Sequence, residues 1–377
     1  MLSDNKLSAL QNELLDIYNK IEIELILSIA KRLDNYSSIE GALNYELQKL
    51  SELKVLNKDL LKIIAKYSNK SQKAIETMLK ESLLANVDRE YISEAFKQGN
   101  SLVSYESLIS APNFKRVLES SIYELNSQLS LINTTAIESS KSIYIKTLNK
   151  AYAEAITGTY SLDTAIAKGI KEMAQNGIKG ATYESGRSIG LEAAVRRDTL
   201  SAIIHNANSS GIESAKAMGT NYVEVSKHLG ARVSTKSKIA NHAGWQGKIY
   251  QIDGSSAEYG NLIEETGYGT IEGLGGVNCR HRVYPFFLGL SVNKKDDIDP
   301  VENKEVYKAS QRLRSLEREF RKNKKEWYVC KEIGDKTAKK KCESKAKELL
   351  EEIKTIENDY PSIGSNSSRT LVLEDIK

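Results

Sequence analysis

Apolar side chains at Leu10, Leu14, Ile17, Ile21 and Leu25 fall three or four residues apart, which places them on one stripe of a helix. A stripe of that kind needs a partner to cover it. Further helical patterns follow in YELQKLSELKVL, KDLLKIIAKY and KAIETMLKESLLANV, with polar breaks such as SNKS between them. The pattern therefore predicts short helices packed pairwise over residues 1–110, ending near a turn at Ala111 to Asn113. Residues 111–220 continue as Ala- and Ser-rich helices, whose small side chains let neighbours approach closely. In SLDTAIAKGIKEMAQNG, Ser161 suits an N-cap, Ala165, Ile166, Ile170 and Met173 share a face, and Gly177 suits the position just past the C-terminus. The following YESGRSIGLEAAVRRDTLSAIIHNAN reads as one more helix, with Arg187, Arg196 and Arg197 on a solvated polar side; a nucleic-acid surface is the alternative use of those arginines.

The pattern changes at Asn221. YVEVS alternates as a strand does, and KIYQI has the β-branched and aromatic residues of a second one. All four histidines, His205, His228, His242 and His281, lie in or just before the 221–290 segment, together with Trp245 and the glycine cluster TGYGTIEGLGG. Residues 221–290 are thus expected to form a small α+β module. Residues 300–358 return to helix: two charged periodic runs joined at EIGDK, where Gly334 can break the chain, predict a helical hairpin. Residues 359–377 read as a weakly ordered tail. The expected class is α+β and predominantly helical, with a helical N-terminal half, a His/Cys module and a C-terminal helical hairpin.

Composition narrows the function. The chain has 377 residues, enough for two or three domains, and its 40% hydrophobic and 28% charged residues are those of a folded protein. A formal charge of +4, from 54 basic and 50 acidic side chains, argues against a dedicated DNA-coating protein. MLSDNKLSAL has no basic segment leading into an apolar run, so no signal peptide is expected, and IEIELILSIA is too short and too acidic to span a membrane. Three scattered cysteines do not make a disulfide framework, and synthesis in a reducing cytoplasm is the simplest expectation.

The candidate chemistry is concentrated in GGVNCRHRVYPF. If Cys279 and His281 lie on a strand, two residues apart puts them on one face, where both can reach one ion. Zinc takes thiolate sulfur and neutral imidazole, and His228 and His242 would complete a set of four ligands. The spacing is not that of a standard zinc finger. A structural alternative makes Cys279 a small buried apolar residue and lets the histidines satisfy local carbonyls. A catalytic alternative pairs His242 with His281 as general acid and base, with Arg280 or Arg282 holding a phosphate, for metal-independent cleavage of RNA. A cysteine nucleophile paired with His281 lacks a third, orienting group. The glycine cluster lacks the Gly-Lys-Ser/Thr ending of a phosphate loop, so its glycines serve turns and close backbone approaches.

Taken in order, VEVSKHLGARVS, HAGWQGKIY and EYGNLIEETGYGTIEGLGGVNCRHRVYPFFLGLS resemble the signature of the tailed-phage minor capsid protein 2 family, which is related to phage head-morphogenesis proteins. NELLDIYNKIEIELILSIAKRL resembles the family's opening helix, YESGRSIGLEAAVRRD its middle helix, and YKASQRLRSLEREFRK the start of its C-terminal helical segment. The family motif falls here on His228, Gly230, Arg232, His242, Trp245, Gln246, Gly247, Tyr268, Gly269, Gly275, Asn278, Cys279, Arg280, His281 and Pro285. After ARV this chain departs from the family, with STKSKIAN inserted before the histidine. The resemblance implies a minor structural component of the virion head, associated with portal protein or major capsid protein, with packaged double-stranded DNA as a neighbour and no membrane. It implies an architectural role and not an enzyme, with a head-carried nuclease or toxin-like effector using His242 and His281 as the competing class. A module inside a pressurised particle would gain from a metal staple, so His228, His242, Cys279 and His281 are expected to form one structural site that could hold zinc.

Overall fold

The computed structural model describes residues 4–36, 42–87, 89–99, 104–293 and 298–363. Its first element, α1 (Asp4–Asp34), buries Leu14, Ile17, Ile21 and Leu25, the stripe that the periodicity marks. It packs on α2 (Ala42–Asn86), a helix of 45 residues. Two short helices, α3 (Arg89–Lys97) and α4 (Tyr105–Ser110), lead to α5 (Pro112–Ile156), also 45 residues long, with Pro112 in its first turn. The expectation of short paired helices is therefore corrected. SNKS does not break α2, because Ser, Asn and Lys cost a helix only tenths of a kcal/mol each, far less than Gly or Pro. Within that stretch Ser71 is buried and its hydroxyl donates to the Tyr67 carbonyl at 3.0 Å.

The next helix, α6 (Leu162–Asn176), matches its sequence signals. Ser161 accepts from the Thr164 amide, Ala165, Ile166, Ile170 and Met173 are buried, and Gly177 ends the helix at φ 67°. A second correction follows. YESGRSIG is not helical: β1 (Lys179–Thr182) and β2 (Ser188–Gly190) pair as an antiparallel hairpin, and Gly190 caps α7 (Leu191–Ala217). Gly186 at φ 79° makes the turn, a conformation that side-chain-bearing residues disfavour. Nor do the arginines form one solvated face. Arg187 is exposed, but Arg196 pairs with Glu192 and Arg197 with Asp198, and both arginines are half-buried.

Helices α1, α2, α5, α6 and α7 share one apolar core. Beyond α7 the chain enters a second, smaller core built on a three-stranded antiparallel sheet in the order β4-β3-β5. The central strand β3 (Tyr222–Val225) and β4 (Ile249–Gln251) are the two expected from sequence, and β5 (Val283–Phe286) is the third. Pro285 sits in β5 opposite Val223, on an edge strand, where a missing amide is tolerated. Two short helices, α8 (His242–Trp245) and α9 (Leu262–Thr266), complete this module.

The C-terminal hairpin is formed as expected. Helices α10 (Pro300–Glu332) and α11 (Lys336–Asp359) turn at Gly334, φ 75°, and bury Leu313, Leu316, Phe320, Ala346, Leu349 and Ile353 between them. The start of α10 is fixed to the module, because the Asn303 amide donates to the Ala231 carbonyl and its oxygen accepts from the Ala231 N–H, both at 3.1 Å. Residues 361–363 add a short 3-10 turn. Of the tail expected to be weakly ordered, residues 359–377, Asp359 ends α11 and residues 361–363 form that turn, while residues 364–377 lie outside the described residues.

Candidate functional site

Cys279 and His281 are not on a strand; they sit in the irregular segment that leads into β5, so the same-face argument does not apply. What brings them together is a set of tight turns. Asn278 adopts φ 59°, a left-handed conformation that Asn accepts more readily than most residues. Gly273 and Gly276 lie so close to neighbouring backbone that a β-carbon would fall 2.2 Å from the Gly267 carbonyl oxygen and 2.3 Å from that of Ile271. Closely packed backbone of this kind is the use expected for the glycine cluster. The result is a Cys279 Sγ to His281 Nδ1 distance of 3.6 Å.

His242 arrives from the other side on α8. The donor atoms of His242, Cys279 and His281 all lie within 4.8 Å of one another, and all three residues are buried. His228 lies over the His281 ring instead of among those donors, with ring centroids 4.3 Å apart and planes inclined by 28°. Its Nδ1 is 3.1 Å from the Leu229 carbonyl oxygen. Of the four residues expected in one site, three present donor atoms to each other and the fourth stacks on them. The remaining histidine, His205, is apart from this group, its ring 6.3 Å from that of Tyr268.

The hydrogen bonds fix the protonation pattern. His242 Nε2 is 2.8 Å from the Glu272 carbonyl oxygen, which only accepts, so this nitrogen carries the proton. His281 Nε2 is 3.0 Å from Gln246 Oε1, and the same oxygen accepts from the His228 backbone N–H at 3.0 Å. With each Nε2 donating, the neutral form that burial favours carries its lone pair on Nδ1. Burial, supported by the nearby Arg232 and His228, lowers the His242 pKa to about 4 against the pull of the Glu272 bond. Burial also drives His281 well below the ordinary histidine range, and it raises the Cys279 thiol.

Neighbouring motif residues hold this cluster. Arg232 donates to the Val277 carbonyl at 2.9 Å, Trp245 Nε1 donates to the Ile239 carbonyl at 2.9 Å, and the Trp245 ring packs 4.8 Å from His281. Gly247 and Gly269 take φ 69° and 85°, Gly230 takes 78° beside Val306 of α10, and Gly275 takes 77° beside Tyr268. Tyr268 reaches Ser209 of α7 at 3.3 Å, and Arg280 extends to Ser8 of α1 at 3.4 Å. Sequence reasoning did not single out Asn208. Its side chain donates to the His281 carbonyl at 3.3 Å and accepts from the Val283 N–H at 3.0 Å, clamping the site segment to α7. Asn86 of α2 likewise donates to the Val283 carbonyl at 3.1 Å. Among the described residues a second group of donors, Glu326, Cys330 and Cys342, lies between α10 and α11.

Chemically, this is a neutral, desolvated cluster of two imidazoles and one thiol with fixed tautomers. General acid and base work on a nucleic acid needs rings that a phosphodiester can reach. Both His242 and His281 are buried and already hydrogen-bonded in this conformation.

Similarity to known proteins places this architecture among phage structural proteins. The chain is 23% identical over 349 residues to a structural protein of Lactococcus phage LL-H, covering 90% of this chain and 91% of that protein. It is also 33% identical over 103 residues to a structural protein of Lactococcus phage mv4, covering 26% of this chain and 81% of that protein. Residues 2–356 match the family described as phage minor capsid protein 2, and the chain belongs to that family. No solved structure matches it. Among the described residues no helix is long and apolar enough to cross a membrane.

Proposed function

We propose that this phage structural protein works in the virion head, docked on the portal protein, the major capsid protein or both, during head assembly and the packaging or release of DNA. Its role in this reading is architectural and not enzymatic. The observation that carries the docking is the exposed apolar surface of the two longest helices. Leu47, Leu50 and Leu61 lie within one narrow face of α2 and are 58%, 52% and 51% exposed, while Tyr123 and Leu131 of α5 are 77% and 70% exposed. Large apolar side chains gathered on one exposed face mark surfaces that a partner covers, whereas single ones are ordinary on any protein; here Lys54 and Lys58 share the face with the three leucines and add positive charge to it. The His/Cys module and the hairpin, tied together through Asn303, give the helices a stiff mount.

Co-expression of the full chain with the phage's portal and major capsid proteins tests this, alongside protein analysis of purified virions. Co-elution with at least one of the two, lost when Leu47, Leu50 and Leu61 are all changed to Glu, is the expected result. Absence from finished virions would mark a scaffolding role instead, and co-elution with neither partner would overturn the docking. If packaged double-stranded DNA is also a contact, binding falls steeply as salt rises, because each phosphate contact releases counterions.

A further inference from the structure

We propose that His242, Cys279 and His281 bind one zinc-class divalent ion, with His228 as a stacking neighbour and not a ligand. The inference goes beyond the head reading and stands or falls separately from it.

Three observations carry it. The first is distance. A zinc ion about 2.3 Å from sulfur and about 2.0 Å from nitrogen, at a tetrahedral angle, holds the two donor atoms about 3.5 Å apart. Cys279 Sγ and His281 Nδ1 stand at 3.6 Å, and the His242 donor lies within 4.8 Å of both, so binding draws His242 inward to complete the set. A plain thiol-to-imidazole hydrogen bond allows the sulfur-to-nitrogen distance too, so the second observation is needed. It is the outer layer: the Nε2 of each imidazole is held by an oxygen, that of Glu272 for His242 and that of Gln246 for His281. Metal-ligating histidines are nearly always oriented in this way, because the second-layer acceptor fixes the tautomer and makes the opposite nitrogen more basic. The third is the setting. Cys279 is 1% exposed inside the module's core, whose sheet has only three short strands, and small cores of this kind are commonly stapled by a metal.

Binding replaces the thiol proton. The Cys279 S–H bond breaks, the proton leaves to solvent, and sulfur donates its pair to the ion, while the two neutral imidazoles donate lone pairs without losing a proton. With three protein donors the fourth tetrahedral position falls to a non-protein ligand such as water.

The test uses the full-length chain. Elemental mass spectrometry of the purified protein is followed by removal of metal with a chelator and titration with cobalt(II), read by the thiolate-to-cobalt charge-transfer band. About one ion per chain and a thiolate band with tetrahedral-type visible absorption are expected. Cys279→Ser should lose the band, while the Cys330→Ser, Cys342→Ser double variant and His228→Phe should keep it. Gln246→Ala, which retains every ligand, should weaken cobalt binding about ten- to a hundredfold. Absence of a thiolate band in the folded parent overturns the proposal whatever the variants do. So does a band that disappears with Cys330 and Cys342 but survives Cys279→Ser.

Discussion

Glu192 is one of the side chains that tie the C-terminal hairpin electrostatically to the helical body, beside the Glu22–Lys325 and Lys171–Asp335 pairs. It stands in the first turn of α7, 7% exposed, with Arg196 Nε donating to Oε1 at 2.7 Å and Arg321 Nε of α10 3.2 Å from Oε2. Burial alone would raise its pKa, but Arg321 and Arg196, with Lys325 beyond them, outweigh that and lower it from 4.5 to about 2. A carboxyl depressed by that amount on folding holds about 3 kcal/mol of stability at pH 7, at about 1.4 kcal/mol per pH unit. Because the folded value is the lower one, that stability is present above the ordinary pKa and is lost as pH falls from about 4.5 toward 2.

Glu192→Gln keeps the shape and an acceptor oxygen while removing the charge. Its expected cost, from urea denaturation followed by circular dichroism, is about 3 kcal/mol at pH 7, in line with the 3–5 kcal/mol typical of breaking one side of a buried ion pair. At pH 3 the parent has itself given up most of the advantage, and the difference between the two proteins should fall to about 1.4 kcal/mol. A difference below about 1 kcal/mol at pH 7, or one that stays constant between pH 7 and pH 3, would refute the reasoning.

Two further perturbations probe how the module is seated. A β-carbon at Gly211 would fall 2.1 Å from the Val283 carbonyl oxygen, so Gly211→Ala must push β5 off α7. Overpacking of that kind costs about 1–3 kcal/mol, and thermal unfolding should show a lowered midpoint; an unchanged midpoint would mean the contact is not tight. Asn86 donates to the Ala207 carbonyl at 2.7 Å and to that of Val283 at 3.1 Å, joining α2, α7 and β5. Asn86→Ala leaves two buried carbonyls without that donor and should cost about 2 kcal/mol, measured in the same way, whereas a neutral result would show that the carbonyls find other partners.

The periodicity of apolar side chains made the helical class legible, and the caps of α6 could be read from Ser161 and Gly177 because capping is local chemistry. The lengths of α2 and α5 could not, since a polar interval such as SNKS weakens an apolar stripe without stopping the backbone. The β1–β2 hairpin was missed for the opposite reason. Its breakers, Gly180, Gly186 and Gly190 with Ser185 and Ser188 between them, are turn signals that the long helical pattern after them outweighs. The arginines after it looked solvated because their acidic partners Glu192 and Asp198 are read as charges, while burial and pairing are properties of the packed chain.

The site was legible to a similar depth. Cys279, His281 and His242 stood out by residue type, and they do converge, although through glycine-dependent turns and not through strand geometry. Gln246, which holds His281, is among the motif residues, whereas two other orienting groups do not stand out because their contacts involve backbone: the Glu272 carbonyl holds His242, and the His281 carbonyl is held by Asn208. The stretch HNANSSGIESA in α7 looks too polar for a core. Its buried amides offset that polarity by donating to backbone of neighbouring elements: Asn206 donates to the Leu79 carbonyl of α2 at 2.8 Å, and Asn208 binds both sides of the segment entering β5. Helix α7 thus grips the long helices with one set of amides and the His/Cys module with another. Burying amides is costly unless they are hydrogen-bonded, and the bonds that Asn206 and Asn208 make turn the residues that blur the sequence pattern into those that fix the module to the helices proposed to dock in the head.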